Sequence, residues 1–242
     1  MDLEITEVGT GGPRVVFVHG VLDRGRSFAR VAKLLAGECR VAWYDRRGYG
    51  ASVYAAAEPV GWSVHVDDVL RVLDGRPAVV VGHSFGGVPA LGAAVRAPEL
   101  VQALALYETG LAWVPGWDDT AMAGVLADVD PETAGLRLMF RERYDQMSEP
   151  ERERWRREAR AFVAEERSVR DAGPPFDTAA VRAPVVYGRS SPDVVAAVVA
   201  HLRATVPNVE EVTIPGAGHN AHRTQPRAFA DLVRRALALA SR

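Results

Sequence analysis

The residues most able to do chemistry lie at 79–87, Val-Val-Val-Gly-His-Ser-Phe-Gly-Gly. A run of β-branched residues ends at a Gly-x-Ser-x-Gly sequence centred on Ser84, and a helix-like segment follows. That order is the signature of a nucleophile elbow. A serine hydroxyl is a weak nucleophile, so it must be held clear of the fold, beside a base and near amide donors. A strand that turns sharply into a helix presents it that way. The turn crowds the backbone around Ser84, which predicts that Gly82 and Gly86 stand where a Cβ would clash.

A serine nucleophile needs a histidine and an acid later in the chain. His219 follows a strand-like run and a Gly-Ala-Gly turn and precedes the last helix. His222, three residues on, is the rival, and a polar residue bracing the same loop is its simpler reading. His65 and His201 fall in helical patterns and read as surface or boundary residues.

The elements that must position these groups alternate between strand-like and helix-like, which predicts a parallel sheet with helices on both faces. Strands are expected near residues 3–8, 14–18, 40–44, 78–81, 101–107, 184–187 and 209–214. Helices are expected over 27–35, from Ser63 as a cap, from the elbow to about Ala97, along Val194, Val198 and Leu202, and finally along Phe229, Leu232, Val233, Ala236 and Leu237. Pro89 lies close enough to the start of the elbow helix for its missing N–H to cost little.

One region breaks the alternation. Residues 110–177 hold no convincing strand, and Ser148-Glu149-Pro150-Glu151 reads as a capping box with Pro in the first turn. The helix it opens carries Trp155, Ala159, Phe162 and Val163 on one stripe, with Glu and Arg around the rest. This predicts a helical cap over 110–177, inserted before the penultimate strand of a core made of 1–109 and 178–242.

The whole chain sets bounds on function. Its 242 residues suit one α/β domain with an insertion. A net charge of -2 gives no electrostatic case for nucleic acid or an anionic membrane. The single cysteine, Cys39, rules out an internal disulfide and a cysteine-based zinc site. Met1-Asp2-Leu3-Glu4-Ile5 is acidic and has no apolar signal core, which predicts a cytoplasmic protein. No metal cluster, dinucleotide glycine motif or Walker motif stands out, so no cofactor is expected.

Taken together, His19-Gly20 after a strand, Asp45-Arg46-Arg47-Gly48-Tyr49-Gly50-Ala51-Ser52 after the next, the elbow at Ser84 and Gly216-Ala217-Gly218-His219 resemble the α/β-hydrolase superfamily over nearly the whole chain. The chain looks most like its small, cofactor-free esterase and haloperoxidase-like enzymes. The resemblance implies that His219 is the base, that His19 orders an oxyanion loop, and that the Asp45 segment is a structural turn. It implies oxyanion donors at the backbone N–H groups of Phe85 and Val21.

The acid departs from the family pattern. Its usual place follows the strand at 184–187, where this chain reads Gly188-Arg189-Ser190-Ser191-Pro192-Asp193 and Ser191 occupies the Asp position. A hydroxyl cannot stabilise an imidazolium as a carboxylate does. Asp193 is one replacement. Glu108, at the end of the strand after the elbow helix, is the other, and it is preferred because it stands on the sheet edge where open α/β sheets bind ligands. Asp193 follows Pro192 and reads as a helix-opening acid.

The expected reaction is cleavage of a carboxylic ester, lactone or thioester of a small to medium apolar substrate through an acyl-enzyme on Ser84. Candidate pocket residues are His83, Leu111, Trp113, Trp117 and Met139, with Val114, Met122, Leu126, Leu138 and Phe140 as further cap residues able to face substrate. No Arg or Lys is placed toward the site. Two other readings stand beside this one: a triad enzyme cleaving a C–C or amide bond, and a hydrolase-like binding protein or receptor.

Overall fold

A computed structural model describes residues 3–54, 58–171 and 174–241. Met1 and Asp2, part of the acidic N-terminal stretch, lie outside them.

Seven strands form one sheet in the order β1-β3-β2-β4-β5-β6-β7. They are β1 (Ile5–Val8), β2 (Arg14–Val18), β3 (Arg40–Tyr44), β4 (Ala78–His83), β5 (Val101–Tyr107), β6 (Val185–Arg189) and β7 (Val209–Thr213). Only β1 runs antiparallel, on an edge, and every other pairing is parallel. The central strands are buried on both faces, which is why they read as continuous apolar runs. Their alternation then divides two cores. Val16, Val18 and Val80 face one, packed by α2 (Trp62–Leu73), α3 (Gly87–Arg96) and α8 (Ala196–Thr205). Val15, Phe17, Val79 and Val81 face the other, packed by α1 (Ala29–Leu35) and α10 (Pro226–Ala240). A short helix, α9 (Ala221–Thr224), precedes α10.

Between β5 and β6 come α4 (Thr120–Ala127), α5 (Pro131–Phe140), α6 (Glu142–Gln146) and α7 (Glu149–Ser168). Among the described residues no strand falls in this stretch. These helices have their own small core, in which Leu136, Ala159, Phe162 and Val163 meet Leu22 and Tyr49 from below.

Two helix starts differ from expectation. Gly61 is the N-cap of α2, so Ser63 lies inside the first turn. Ser148 is the N-cap of α7 as expected, but its hydroxyl makes no capping bond. The larger difference lies on the polar side of α7. Glu158 and Glu165, expected in solvent, are buried at 3% and 0% exposure.

Their burial is explained by what rises to meet them. The Arg46 guanidinium, also fully buried, forks onto Glu165 through Nη1–Oε1 at 2.5 Å and Nη2–Oε2 at 3.3 Å. Tyr49 donates its hydroxyl to the same carboxylate at 2.7 Å, and His65 Nε2 lies 2.7 Å from it. His65 is therefore a buried partner of the cap rather than a surface residue. Arg24 reaches Glu158 at 2.5 Å in the same way. Burial alone would raise the Glu165 carboxyl, but the charges of Arg46 and His65 and their hydrogen bonds hold it below its ordinary value of 4.5.

Removing one member of a buried pair leaves the other charge uncompensated. Glu165→Gln is expected to lower unfolding stability by about 3–5 kcal/mol, measured by urea denaturation at pH 7. The Glu165 contribution is present above the ordinary carboxylate value and lost as pH falls through its depressed one. The variant therefore loses less of its remaining stability than the parent between pH 5 and pH 3.

Candidate active site

Ser84 ends β4 and holds φ at +52°. Non-glycine residues rarely occupy that region, and it throws the side chain out of the strand's path. The next turn leads directly into α3. The flanking glycines are required by contact: a Cβ on Gly82 would meet Gly87 Cα at 2.5 Å, and one on Gly86 would meet the Val18 carbonyl oxygen at 2.2 Å. Both lie below any real carbon contact, so the tight passage expected around Ser84 is present.

Glu108 leaves β5 in the same fashion. Its N–H donates to the Gly188 carbonyl at 3.0 Å, prolonging the ladder, while φ of +45° turns the side chain aside. Its Oε2 accepts from His219 Nδ1 at 2.8 Å and its Oε1 accepts the Ser190 N–H at 2.8 Å. Burial by itself would raise this carboxyl, but the His219 and Ser190 hydrogen bonds outweigh it and hold it below its usual value. Glu108 thus stays ionised and accepts the His219 Nδ1 proton. Asp193 is exposed in the turn before α8 and makes no hydrogen bond among the described residues.

The loop carrying His219 is itself braced. His83 donates Nε2–H to the His219 carbonyl at 2.8 Å, and Tyr107 donates its hydroxyl to the Gly218 carbonyl at 3.1 Å. His222 packs its ring 4.5 Å from that of His83 and points to Asp23, with Nε2 at 3.4 Å from Oδ2. It is buried and stands away from Glu108, as a bracing residue would.

The loop that follows His19 is ordered by a similar chain. The Arg46 backbone N–H donates to His19 Nε2 at 2.8 Å, so Nδ1 carries the His19 proton and donates to the Gly20 carbonyl at 2.7 Å. In a trans peptide the N–H opposes the C=O, so the Val21 N–H points away from His19. Burial and the nearby Arg46 charge push His19 down to about 4, so it stays neutral. Gly20 lies against the elbow, since a Cβ there would stand 2.9 Å from Ser84 Cβ. Asp45 accepts from the N–H groups of Gly25 and Ala51 at 2.7 and 2.9 Å, holding the turn.

Ser84, His219, Glu108, Val21 and Phe85 line one cavity of about 410 Å³. Trp117, Met122, Leu138 and Met139 contribute to its walls. Among the described residues no hydrogen bond joins Ser84 to His219; such contacts are commonly long without substrate. Three expected pocket residues lie elsewhere. His83 turns beneath the elbow to brace the His219 loop, Leu111 is fully buried in the core, and Trp113 packs edge-on against Phe176. Four charged residues not expected there, Asp118, Asp119, Glu166 and Arg170, do reach the cavity. Their only sequence signal is the Glu166/Arg170 spacing of four, which does not say which way a helix end faces.

Asp23, His83 and His222 bring ligand-type atoms within 4.8 Å of one another. Both Asp23 oxygens are already engaged, Oδ2 by Ser27 at 3.0 Å and Oδ1 by the Arg223 guanidinium, whose charge opposes a cation there.

A model described as the alpha/beta hydrolase family matches residues 15–232. The chain belongs to that family. Lipase LipV of Mycobacterium tuberculosis is 34% identical over 164 residues, 57% of this chain and 61% of that protein. Pimeloyl-(acyl-carrier protein) methyl ester esterase of Chromobacterium violaceum is 41% identical over 109 residues, 45% of this chain and 41% of that one. The matches thus span less than two thirds of these relatives' length. The fold agrees with that of a thermophilic esterase from Thermogutta terrifontis, with a TM-score of 0.74, 22% identity, and 98% and 93% of the two chains covered. Cfl2 of Burkholderia cenocepacia aligns with a TM-score of 0.74 and 23% identity over 96% of this chain and 91% of that one.

The His219–Glu108 contact has a direct spectroscopic consequence. An imidazole N–H held by a carboxylate gives a low-field proton resonance. Proton NMR of the wild-type chain is expected to show it, Glu108→Gln to remove it or shift it strongly upfield, and Asp193→Asn to leave it in place.

Proposed function

We propose that this chain is a serine hydrolase that cleaves a carboxylic ester, lactone or thioester of a small to medium, largely apolar substrate through an acyl-enzyme on Ser84. The observation that carries the reading is the Glu108–His219 hydrogen bond at 2.8 Å opening onto the cavity that Ser84 lines. His219, with Nδ1 tied to Glu108, offers Nε2 as the base. It takes the Ser84 proton as Oγ attacks the substrate carbonyl. The Phe85 and Val21 N–H groups receive the oxyanion, each such donor contributing about 3–4 kcal/mol to transition-state stabilisation. His219 then protonates the leaving group. Water, deprotonated by the same histidine, attacks the acyl-enzyme and frees Ser84.

The apolar side chains around the cavity and its size favour a modest organic acyl or alcohol group. The lipase and esterase names of the curated relatives support ester chemistry. Glu108 is the proposed acid because it alone of the two candidates touches His219. The proposed architecture is a hydrolase core with a cap over 110–177, whose α7 lines the cavity through Phe162 and Glu166. No helix among the described residues is long and apolar enough to cross a membrane. A cytoplasmic location of the protein is part of this reading.

Turnover of p-nitrophenyl esters of increasing acyl length, together with labelling by a fluorophosphonate, tests this reading. Wild type is expected to hydrolyse the shorter esters and to become covalently labelled at Ser84. Ser84→Ala loses both, and Glu108→Gln lowers kcat on the order of 10³-fold or more while Asp193→Asn stays within about twofold. Full activity in Ser84→Ala sinks the proposal. A wild-type chain that binds esters but is inert to label points instead to a binding protein.

A further inference from the structure

The walls of the Ser84 cavity are apolar apart from one sharply uneven set of charges. Its ionisable lining residues are Glu108, Asp118, Asp119, Glu166, Arg170 and His219. Four are carboxylates and one is a guanidinium. Glu108 is committed to His219 and the Ser190 N–H. The remaining three acids therefore share one cation.

That cation is saturated from within. Arg170 Nε and Nη2 fork onto Asp119 at 2.6 and 2.5 Å. Its Nη1 donates to the Glu166 carboxylate and to the Glu166 carbonyl, both at 2.6 Å. Four of its five N–H groups are thus spent, and it has little left with which to hold a substrate anion. Glu166 gives only Oε2 to Arg170, and no described partner takes Oε1. The three side chains are about one-fifth exposed, and that exposure is where they reach the cavity.

We propose that this acidic wall makes the site selective for substrates with a cationic group on the part that fills the cavity away from the scissile carbonyl, and that it rejects carboxylates there. The inference rests on the hydrolase reading above and adds its substrate class. With Asp119 and Glu166 both ionised, the pair and Arg170 carry a net charge of minus one, and Asp118 at the rim adds to it. In a cavity of low polarity such a charge attracts a bound cation far more than it would in water. A quaternary ammonium needs no hydrogen bond from the wall, so the attraction is one of charge alone.

The same geometry makes the selectivity depend on pH. The groups facing Glu166 are Arg170 just beyond its helix, Asp119 before α4, and Glu165 on its own helix, with His219 and Glu108 elsewhere on the cavity wall. Burial pushes the Glu166 carboxyl up to about 7, with Arg170 offsetting only part of the rise and the neighbouring Glu165 and Asp119 adding to it. Above that pH the Asp119, Glu166 and Arg170 group is negative; below it Glu166 takes a proton and the group is neutral, which leaves only the exposed Asp118 charged on this wall.

Three p-nitrophenyl esters of equal length test this, with ends of trimethylammonium, its neutral tert-butyl isostere and carboxylate. Comparing kcat/KM for the first two at each pH cancels whatever pH dependence the shared catalytic step has. Wild type is expected to favour the ammonium ester over its isostere roughly tenfold at pH 8, falling toward parity by pH 6, with the carboxylate ester the poorest throughout. In Glu166→Gln the ratio is low and flat across pH; if that variant does not fold, Asp119→Asn is expected to lower the ratio at pH 8 while leaving it pH-dependent, because Glu166 still titrates. A ratio near one at pH 8, or a preference for the carboxylate, overturns the proposal. If no ester turns over, the hydrolase reading fails by itself. Calorimetric titration with hexyltrimethylammonium against heptanoate then decides the charge selectivity: cation binding alone upholds it, and binding of the anion or of neither overturns it.

Discussion

The contact on which the rest depends is the buried fork between Arg46 and Glu165. Arg46 belongs to the turn after β3, and Glu165 to the last turns of α7, 119 residues later. Arg46 does four things at once. It holds the cap through Glu165. Its Nε donates to the His19 carbonyl at 2.8 Å, and the backbone N–H of the same residue fixes the His19 ring. Its guanidinium also lies 5.2 Å from the centre of the Phe85 ring, the residue after Ser84. A buried charge is costly, so its partners must be held with good geometry. That demand fixes α7, the loop after His19 and the turn at Ser84 relative to one another.

The sheet supplies the other half of the arrangement. β4 and β5 are adjacent and parallel, with His83 in register with Tyr107. Their next residues, Ser84 and Glu108, therefore leave the sheet side by side, each through a positive φ. His83 and Tyr107 in turn reach the carbonyls of His219 and Gly218. The last two residues inside the sheet thus brace the loop whose histidine bonds Glu108 just outside it. Nothing in this cluster can shift alone without breaking a hydrogen bond made by a strand end.

What the sequence made legible follows from the range of each interaction. The elbow, its glycines and the parallel strands were readable because their causes are local: β-branched runs, a crowded turn, alternating elements. The cap's existence was readable from the missing strand period over 110–177. The direction of its charged residues was not. Glu158, Glu165 and Glu166 follow helical spacing like any solvated face, and only Arg24, Arg46 and Arg170, distant in sequence or beyond the helix end, turn them inward. His83 illustrates the same limit within the elbow. The x of Gly-x-Ser-x-Gly can face substrate or the fold beneath, and the carbonyl of His219, 136 residues away, accounts for its direction.

The proposed placement of the acid at Glu108 shows how a family pattern can change without losing its geometry. The resemblance put a carboxylate after β6, and this chain has Ser190 and Ser191 there. The β6 turn nonetheless still serves the histidine, through a different atom. Its Ser190 N–H binds Glu108 Oε1 while Oε2 holds His219, so the turn that would carry the acid instead orients one borne by the neighbouring strand. A backbone amide costs nothing in side-chain identity, which frees positions 190 and 191 from any need for charge. The exchange has a constraint of its own. Glu108 reaches both partners only because its backbone bends at the last rung of the ladder, where its N–H still pairs with Gly188. The conformational strain at Glu108 and the register of β5 against β6 are therefore two parts of one requirement: to place a charged carboxylate, desolvated but fully hydrogen-bonded, behind the histidine.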